Sequence, residues 1–187
     1  TPQHAHFSLY IPGKIIPSVS EYGMYFNNRA IPLSGLTLPQ VHVNWVINRL
    51  LEYSSYLTEN GWVHCGFTPE TVFICPETHG IQIVSMYHLS RLGKKVGTIS
   101  AKYKNWYPSS LFTDKIADPS IDVEMIKKIG VYLLGEPSGN AVKLRGKCPD
   151  DFVNFLLDHD MFPYPTMVKY KAMLKKNFPT QFHILDM

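Results

Sequence analysis

The strongest pattern along the chain is a 3.6-residue repeat of buried-type positions. Val43, Val46, Ile47, Leu50, Leu51, Ser54 and Leu57 fall on one face, which predicts an amphipathic helix over residues 39–60. Thr37 with Gln40 reads as a capping box, Pro39 suits the first turn, and Asn60-Gly61 supplies the stop. Three more helical stretches are expected downstream. One runs from Ser120 to about Leu134 and is closed by Gly135. One begins at Asp150 with Phe152, Val153, Phe155, Leu156 and Leu157 turned inward, and the last covers Thr166 to Asn177.

Strand-like patterns are short. His6-Phe7-Ser8-Leu9-Tyr10 alternates, Ile15-Ile16 and Met24-Tyr25-Phe26 are β-prone, and Pro12-Gly13 and Asn27-Asn28 mark turns. Val72-Phe73-Ile74 and Ile81-Gln82-Ile83-Val84 flank Cys75-Pro76-Glu77-Thr78-His79-Gly80 as a small hairpin. Residues 90–119 show no strong period, and a loop that long in a compact domain is usually functional. Segregated strands and helices predict an α+β, predominantly helical fold, with a β-rich segment over residues 1–30 and a helical domain over 31–187.

Composition narrows the class. At 187 residues the chain is one domain, two at most, and 45% hydrophobic against 18% charged residues excludes general disorder. No apolar run approaches the roughly 18 residues of a membrane span, and the N-terminus has no signal pattern, so no membrane partner is expected. Cys65, Cys75 and Cys148 are an odd number at wide spacing, which fits a reducing compartment and a cytoplasmic location.

The net charge of +3 is unevenly laid out. No acidic residue lies between Glu77 and Asp114, whereas Arg91, Lys94, Lys95, Lys102 and Lys104 do. Lys143, Arg145 and Lys147 form a second basic cluster, and Lys169, Lys171, Lys175 and Lys176 a third. Acid collects at Asp150, Asp151, Asp158 and Asp160. Such clusters read first as solvated faces of opposite sign, and second as an anion-binding surface.

The segment Gly61-Trp62-Val63-His64-Cys65-Gly66-Phe67-Thr68-Pro69-Glu70-Thr71-Val72-Phe73-Ile74 resembles the catalytic loop of the protein-kinase-like fold. That family reads His-Arg-Asp-Leu-Lys-Pro-Glu-Asn between a long helix and a small hairpin. His64, Pro69 and Glu70 match. The catalytic-base position holds Gly66, the phosphate-contacting Lys position Thr68 and the metal-binding Asn position Thr71. Where the family has the magnesium-binding Asp, this chain has Ser85-Met86-Tyr87-His88. Phosphoryl transfer rests on positioning, metal-borne charge neutralisation and a base for the hydroxyl, and Gly66, Thr68, Thr71 and Ser85 supply none of these.

The resemblance continues downstream. Trp106-Tyr107-Pro108-Ser109-Ser110 is similar to the end of an activation segment, with Ser110 in place of Glu. Asp122-Val123-Glu124-Met125-Ile126 resembles the start of the central buried helix. The resemblance implies that Asp122 braces the backbone of the loop, and His64 reads as a core histidine bonded to a backbone carbonyl and bracing the same loop, rather than as a catalyst. Tyr132-Leu133-Leu134-Gly135 resembles the end of that helix, and Tyr164-Pro165-Thr166 an Arg-Pro-Ser/Thr motif with Tyr164 for Arg. In the family that Arg and the activation-segment Glu pair inside the protein, and stranding one alone costs about 3–5 kcal/mol. Loss of both implies a neutral, still packed arrangement. The wording around Pro76-Glu77-Thr78-His79 is also similar to kinase-like proteins of bacterial or phage origin. Upstream of Pro32, Pro12-Gly13-Lys14 and Glu21-Tyr22-Gly23 include no glycine-rich phosphate loop. A C-lobe with a remnant of strands and hinge, and no complete N-lobe, is the expectation.

Other chemistries weigh less. Cys65 beside His64 suggests a nucleophile pair, but sequence neighbours rarely aim at each other and no orienting carboxylate is evident. His4-x-His6 and the group His79, Cys75 and His88 fall short of a ligand set, so no metal and no cofactor are expected. Tyr103, Trp106 and Tyr107 beside Lys102 and Lys104 could stack and neutralise single-stranded nucleic acid.

The leading expectation is a non-catalytic, pseudokinase-like protein that binds another protein or itself on the side an N-lobe would cover. Phe67, Met86, Tyr87, Arg91, Lys94, Lys95, Lys102, Lys104 and Trp106 are the expected contact residues. A nucleic-acid-binding protein using the 91–108 loop and Lys143–Lys147 is the alternative. A divergent phosphotransferase completed by a missing lobe is a third.

Overall fold

The computed structural model describes residues 30–178 and Leu185, with the backbone of residues 15–17 and 22–24. The expected strand at His6–Tyr10 and the turns at Pro12-Gly13 and Asn27-Asn28 lie outside the described residues, as does His4-x-His6. The fold is α+β with helix dominant and only small sheets. Strands β1 (Ile15–Pro17) and β2 (Tyr22–Met24) pair antiparallel. Strands β3 (Ile31–Pro32), β5 (Val72–Cys75) and β6 (Gly80–Ile83) form an antiparallel sheet in that order. Strand β4 (Trp62–Val63) pairs with β7 (Ser90–Arg91).

Helix α1 (Gln40–Glu59) buries Val43, Val46, Ile47, Leu50, Leu51, Ser54 and Leu57, the face its period marks out. Its start differs from the sequence expectation. Pro39 is the N-cap with an extended ψ of 146°, and no side chain caps the helix. Thr37 is therefore two residues too early for its hydroxyl to reach the first free N–H groups. The start is held instead by Leu38 N donating to Leu133 O at 2.7 Å.

Helix α2 (Ser110–Asp114) and a 3-10 turn at Lys104–Trp106 interrupt the stretch that carried no period. Tyr103, Trp106, Tyr107 and Leu111 insert into the core from this stretch. Four anchors over so short a segment are too irregular for any helical or strand repeat.

Helix α3 (Pro119–Leu133) has Asp118 as N-cap, accepting from Ser120 N at 2.9 Å, and Pro119 in the first turn. It is buried nearly all round and crosses α1 closely. A Cβ on Gly130 would stand 2.5 Å from Ile47 Cδ1, so a larger residue would push the Ile47 side chain aside. Helix α4 (Asp150–Leu157) buries Phe152, Val153, Phe155 and Leu156. Leu157, expected inside, lies on the outer face, 36% exposed. Helix α5 (Pro163–Asn177) begins a turn before Thr166. Prolines are harmless there because first-turn N–H groups have no intrahelical partner.

The charge clusters meet rather than face solvent apart. Lys169 pairs with Asp158 at 2.6 Å, Lys176 with Asp151 at 2.7 Å, Lys143 with Glu136 at 3.2 Å and Arg145 with Asp150 at 3.3 Å. The neutral, packed arrangement expected of Ser110 and Tyr164 does not hold, since Ser110 is exposed and Tyr164 is 56% exposed. The buried charge of this region is Lys127, which donates to Asp158 O at 2.5 Å and Asp160 Oδ2 at 2.6 Å. Burial lowers the Lys127 pKa, and Asp160 opposes the shift. Among the described residues no helix is long and apolar enough to cross a membrane.

Candidate functional site

The loop between β4 and β5 is built on one carboxylate. Cys65 adopts a left-handed φ of 56°, which turns successive N–H groups toward a common point. That point is Asp122 of α3, with no exposed surface. Its Oδ2 accepts from His64 N at 2.9 Å and Ser54 Oγ at 3.2 Å, and its Oδ1 from Cys65 N at 2.8 Å. Burial raises the Asp122 pKa to about 6, and the three donated hydrogen bonds oppose the rise.

His64 is buried with its ring stacked 4.3 Å from Phe67. Its Nε2 lies 2.8 Å from Ser85 O. A carbonyl only accepts, so Nε2 carries the proton and Nδ1 is left as a buried nitrogen without a partner among the described residues. Burial lowers the His64 pKa to about 4, so the ring is neutral at physiological pH. Burial, and then the Asp122 charge, raise the Cys65 thiol, which removes the thiolate a nucleophile pair requires.

The rest of the loop satisfies itself. The Thr71 hydroxyl donates to Gly66 O at 2.8 Å and accepts from Thr68 N at 2.9 Å. Thr68 is buried, and its hydroxyl donates to Thr71 Oγ1 at 3.3 Å. Glu70 accepts from Lys102 Nζ and, at 2.8 Å, from Tyr103 Oη, which ties the loop to the basic segment. Tyr107 Oη donates to Cys65 O at 2.9 Å and accepts from Ser100 N at 2.9 Å. Gly66 is closed off from the other side. A Cβ at this position would stand 2.6 Å from His88 Cδ2, and His88 is held by Thr98 Oγ1 at 2.8 Å.

Two expected contact residues are not at the surface. Phe67 has no exposed area because it fills the space between His64 and Tyr53, and Trp106 is only 4% exposed because it anchors the segment to the core. Met86 is 40% and Tyr87 76% exposed. Arg91 stacks on Trp62 at 4.1 Å, and Lys104 sits 5.6 Å over Phe112. Lys94 and Lys95 are exposed, with no ion pair among the described residues. Lys102, by contrast, is spent on Glu70. Among the described residues no cluster of three or more His, Cys, Asp or Glu could hold a metal ion.

Reading the sequence missed the closure by His88 and the bridge by Tyr107. Both join residues with no local pattern, and the glycine at position 66 was the one available signal. No protein-family model matches the chain, and no curated protein matches it.

Proposed function

We propose that this chain is a non-catalytic, kinase C-lobe-like protein that works by binding another protein or a second copy of itself. The observation that carries the reading is the room at Gly66. On the kinase resemblance this position would bear the catalytic base, and His88 occupies the volume that even a Cβ would need. At the metal position the Thr71 hydroxyl donates to Gly66 O, and at the phosphate position the Thr68 hydroxyl donates to Thr71 Oγ1. The residues left exposed beside the loop are Met86 and Tyr87, flanked by Arg91, Lys94 and Lys95. An apolar pair rimmed by charge fits a protein contact.

Thermal unfolding with ATP, with and without magnesium, tests the first half. A ligand at 100 times its Kd stabilises by about 2.7 kcal/mol, several degrees for a domain of this size. No shift is expected, and a magnesium-dependent shift overturns the reading. Purification from the native source tests the second half. A co-purified protein or an oligomeric mass that Tyr87→Glu abolishes is expected, and a monomer with nothing attached overturns it.

A further inference from the structure

A second opening lies on the basic segment, joined to the Met86–Tyr87 side through the hydrogen bond between Thr98 and His88. It is a cavity of about 230 Å³ between residues 96–99 and α2. Val96, Ile99, Leu111 and Phe112 make its apolar wall, and Lys115 stands at its rim. The volume is below the roughly 300–1,000 Å³ of small-molecule pockets and suits a single side chain.

The backbone beside it continues from a short antiparallel ladder around the Lys95–Ile116 bridge. Gly93 N donates to Ala117 O, Ala117 N to Lys94 O and Val96 N to Lys115 O, all at 2.7–2.9 Å, so residues 93–96 run antiparallel to 115–117. Beyond Val96 the ladder stops. The N–H and C=O groups of Gly97, Thr98 and Ile99 make no hydrogen bond among the described residues. An extended segment can add to such backbone through main-chain bonds while alternate side chains meet pockets.

Charge names the occupant. Lys94, Lys95, Lys104 and Lys115 have no carboxylate partner among the described residues, and no acidic residue occurs between Glu77 and Asp114. Asp114, at the end of α2, is exposed and makes no ion pair. Lys115 at the rim and Lys104 over the Phe112 ring put two cations beside one apolar hole, which matches acidic residues on either side of an apolar one. Nucleic acid fits less well, because Tyr103, Trp106 and Tyr107 are 7%, 4% and 5% exposed, which removes the rings that bases would stack on.

We propose that the groove between residues 96–99 and α2 docks an extended acidic segment of a partner protein, with one aliphatic side chain in the cavity. The proposal rests on the protein-binding reading above and specifies the chemistry of the partner.

The test is fluorescence anisotropy with a labelled peptide, Glu-Asp-Glu-Leu-Glu-Asp, and its analogue with Ala for Leu, against the whole chain. Saturable binding of the Leu peptide is expected, weaker by about tenfold for the Ala analogue and again by about tenfold for Lys104→Glu. Phe112→Ser, at a residue 41% exposed, is expected to weaken the Leu peptide and leave the weak Ala peptide unchanged. Circular dichroism of both variants confirms that they fold. Absence of saturable binding overturns the proposal, as does equal affinity for the two peptides. So does tighter binding of a single-stranded oligothymidylate that Lys104→Glu weakens and Phe112→Ser does not. If the peptide fails while a Tyr87-dependent partner or oligomer persists, the groove assignment falls and the protein-binding reading stands.

Discussion

The loop 64–71 and the segment 91–99 lie side by side and are built on opposite principles. In the loop, the polar groups that would carry chemistry are turned onto the protein itself. Asp122 takes two backbone N–H groups, Thr71 takes Gly66 O, and His88 fills the space above Gly66. In the segment, Lys94 and Lys95 are unpaired and the Gly97–Ile99 backbone continues from a short ladder without hydrogen bonds among the described residues. A region whose polar groups are, His64 Nδ1 apart, internally satisfied supports a fold. A neighbouring region with unspent charge and unspent backbone is where contact with another molecule gains most.

Breaking the braced loop is expected to have the largest effect. Asp122→Ala strands two buried backbone donors and Ser54, each at a cost of about 1–3 kcal/mol, so a total loss of about 3–9 kcal/mol is expected in denaturant titrations. A loss below about 1 kcal/mol would show that the carboxylate is not what holds the loop.

Gly66→Ala comes next. The added methyl must displace His88, an overpacking cost of about 1–3 kcal/mol. The double variant with His88→Ala recovers most of that loss, and additive single effects in the cycle would disprove the closure.

The pH dependence of stability separates the two buried ionisable groups of the loop. Asp122 has a folded pKa of about 6 against 3.8 unfolded. Its contribution is full below the unfolded value and is lost as pH rises through about 6. His64 has a folded pKa of about 4 against 6.5 unfolded. Its contribution is full above the unfolded value and is lost as pH falls through about 4. Each slope is at most about 1.4 kcal/mol per pH unit, and between pH 4 and 6 they oppose and largely cancel. His64→Gln is therefore expected to make stability fall as pH rises across that window. Asp122→Asn is expected to make it rise. Equal slopes in the two variants would contradict both assignments.

The smallest effect belongs to the open segment. Lys94→Ala and Lys95→Ala are expected to change stability by no more than about 0.5 kcal/mol, because neither side chain has a partner to lose. A drop above about 1 kcal/mol would place these lysines in the fold and leave the comparison without its second half.

The helices α1, α3 and α4 and the β5–β6 hairpin were legible because each rests on a repeat within its own residues. Gly61 and Gly135, at φ of 78° and 88°, close two of those helices as their positions suggest. The start of α5 was misplaced because a second proline reads as a breaker wherever the helix is not yet known to begin. The candidate loop could be located from His64, Pro69 and Glu70, but its state could not be read. Phe67 and Trp106 were expected at the surface because large apolar residues in loops carry no period that says which way they face.

What the sequence determined by itself is the order of elements, the buried faces of the helices and the absence of a carboxylate at positions 66, 71 and 85. Those are properties of neighbours, set by 3.6-residue and two-residue periods and by residue identity. Tertiary structure alone decided which polar groups are spent. Asp122 meets His64 N across 58 positions, Lys102 meets Glu70 across 32, and Lys127 meets Asp160 across 33. Pairing and burial depend on distance in space, and in a chain this short no local pattern encodes which distant residues the packing of helices will bring within 3 Å of each other.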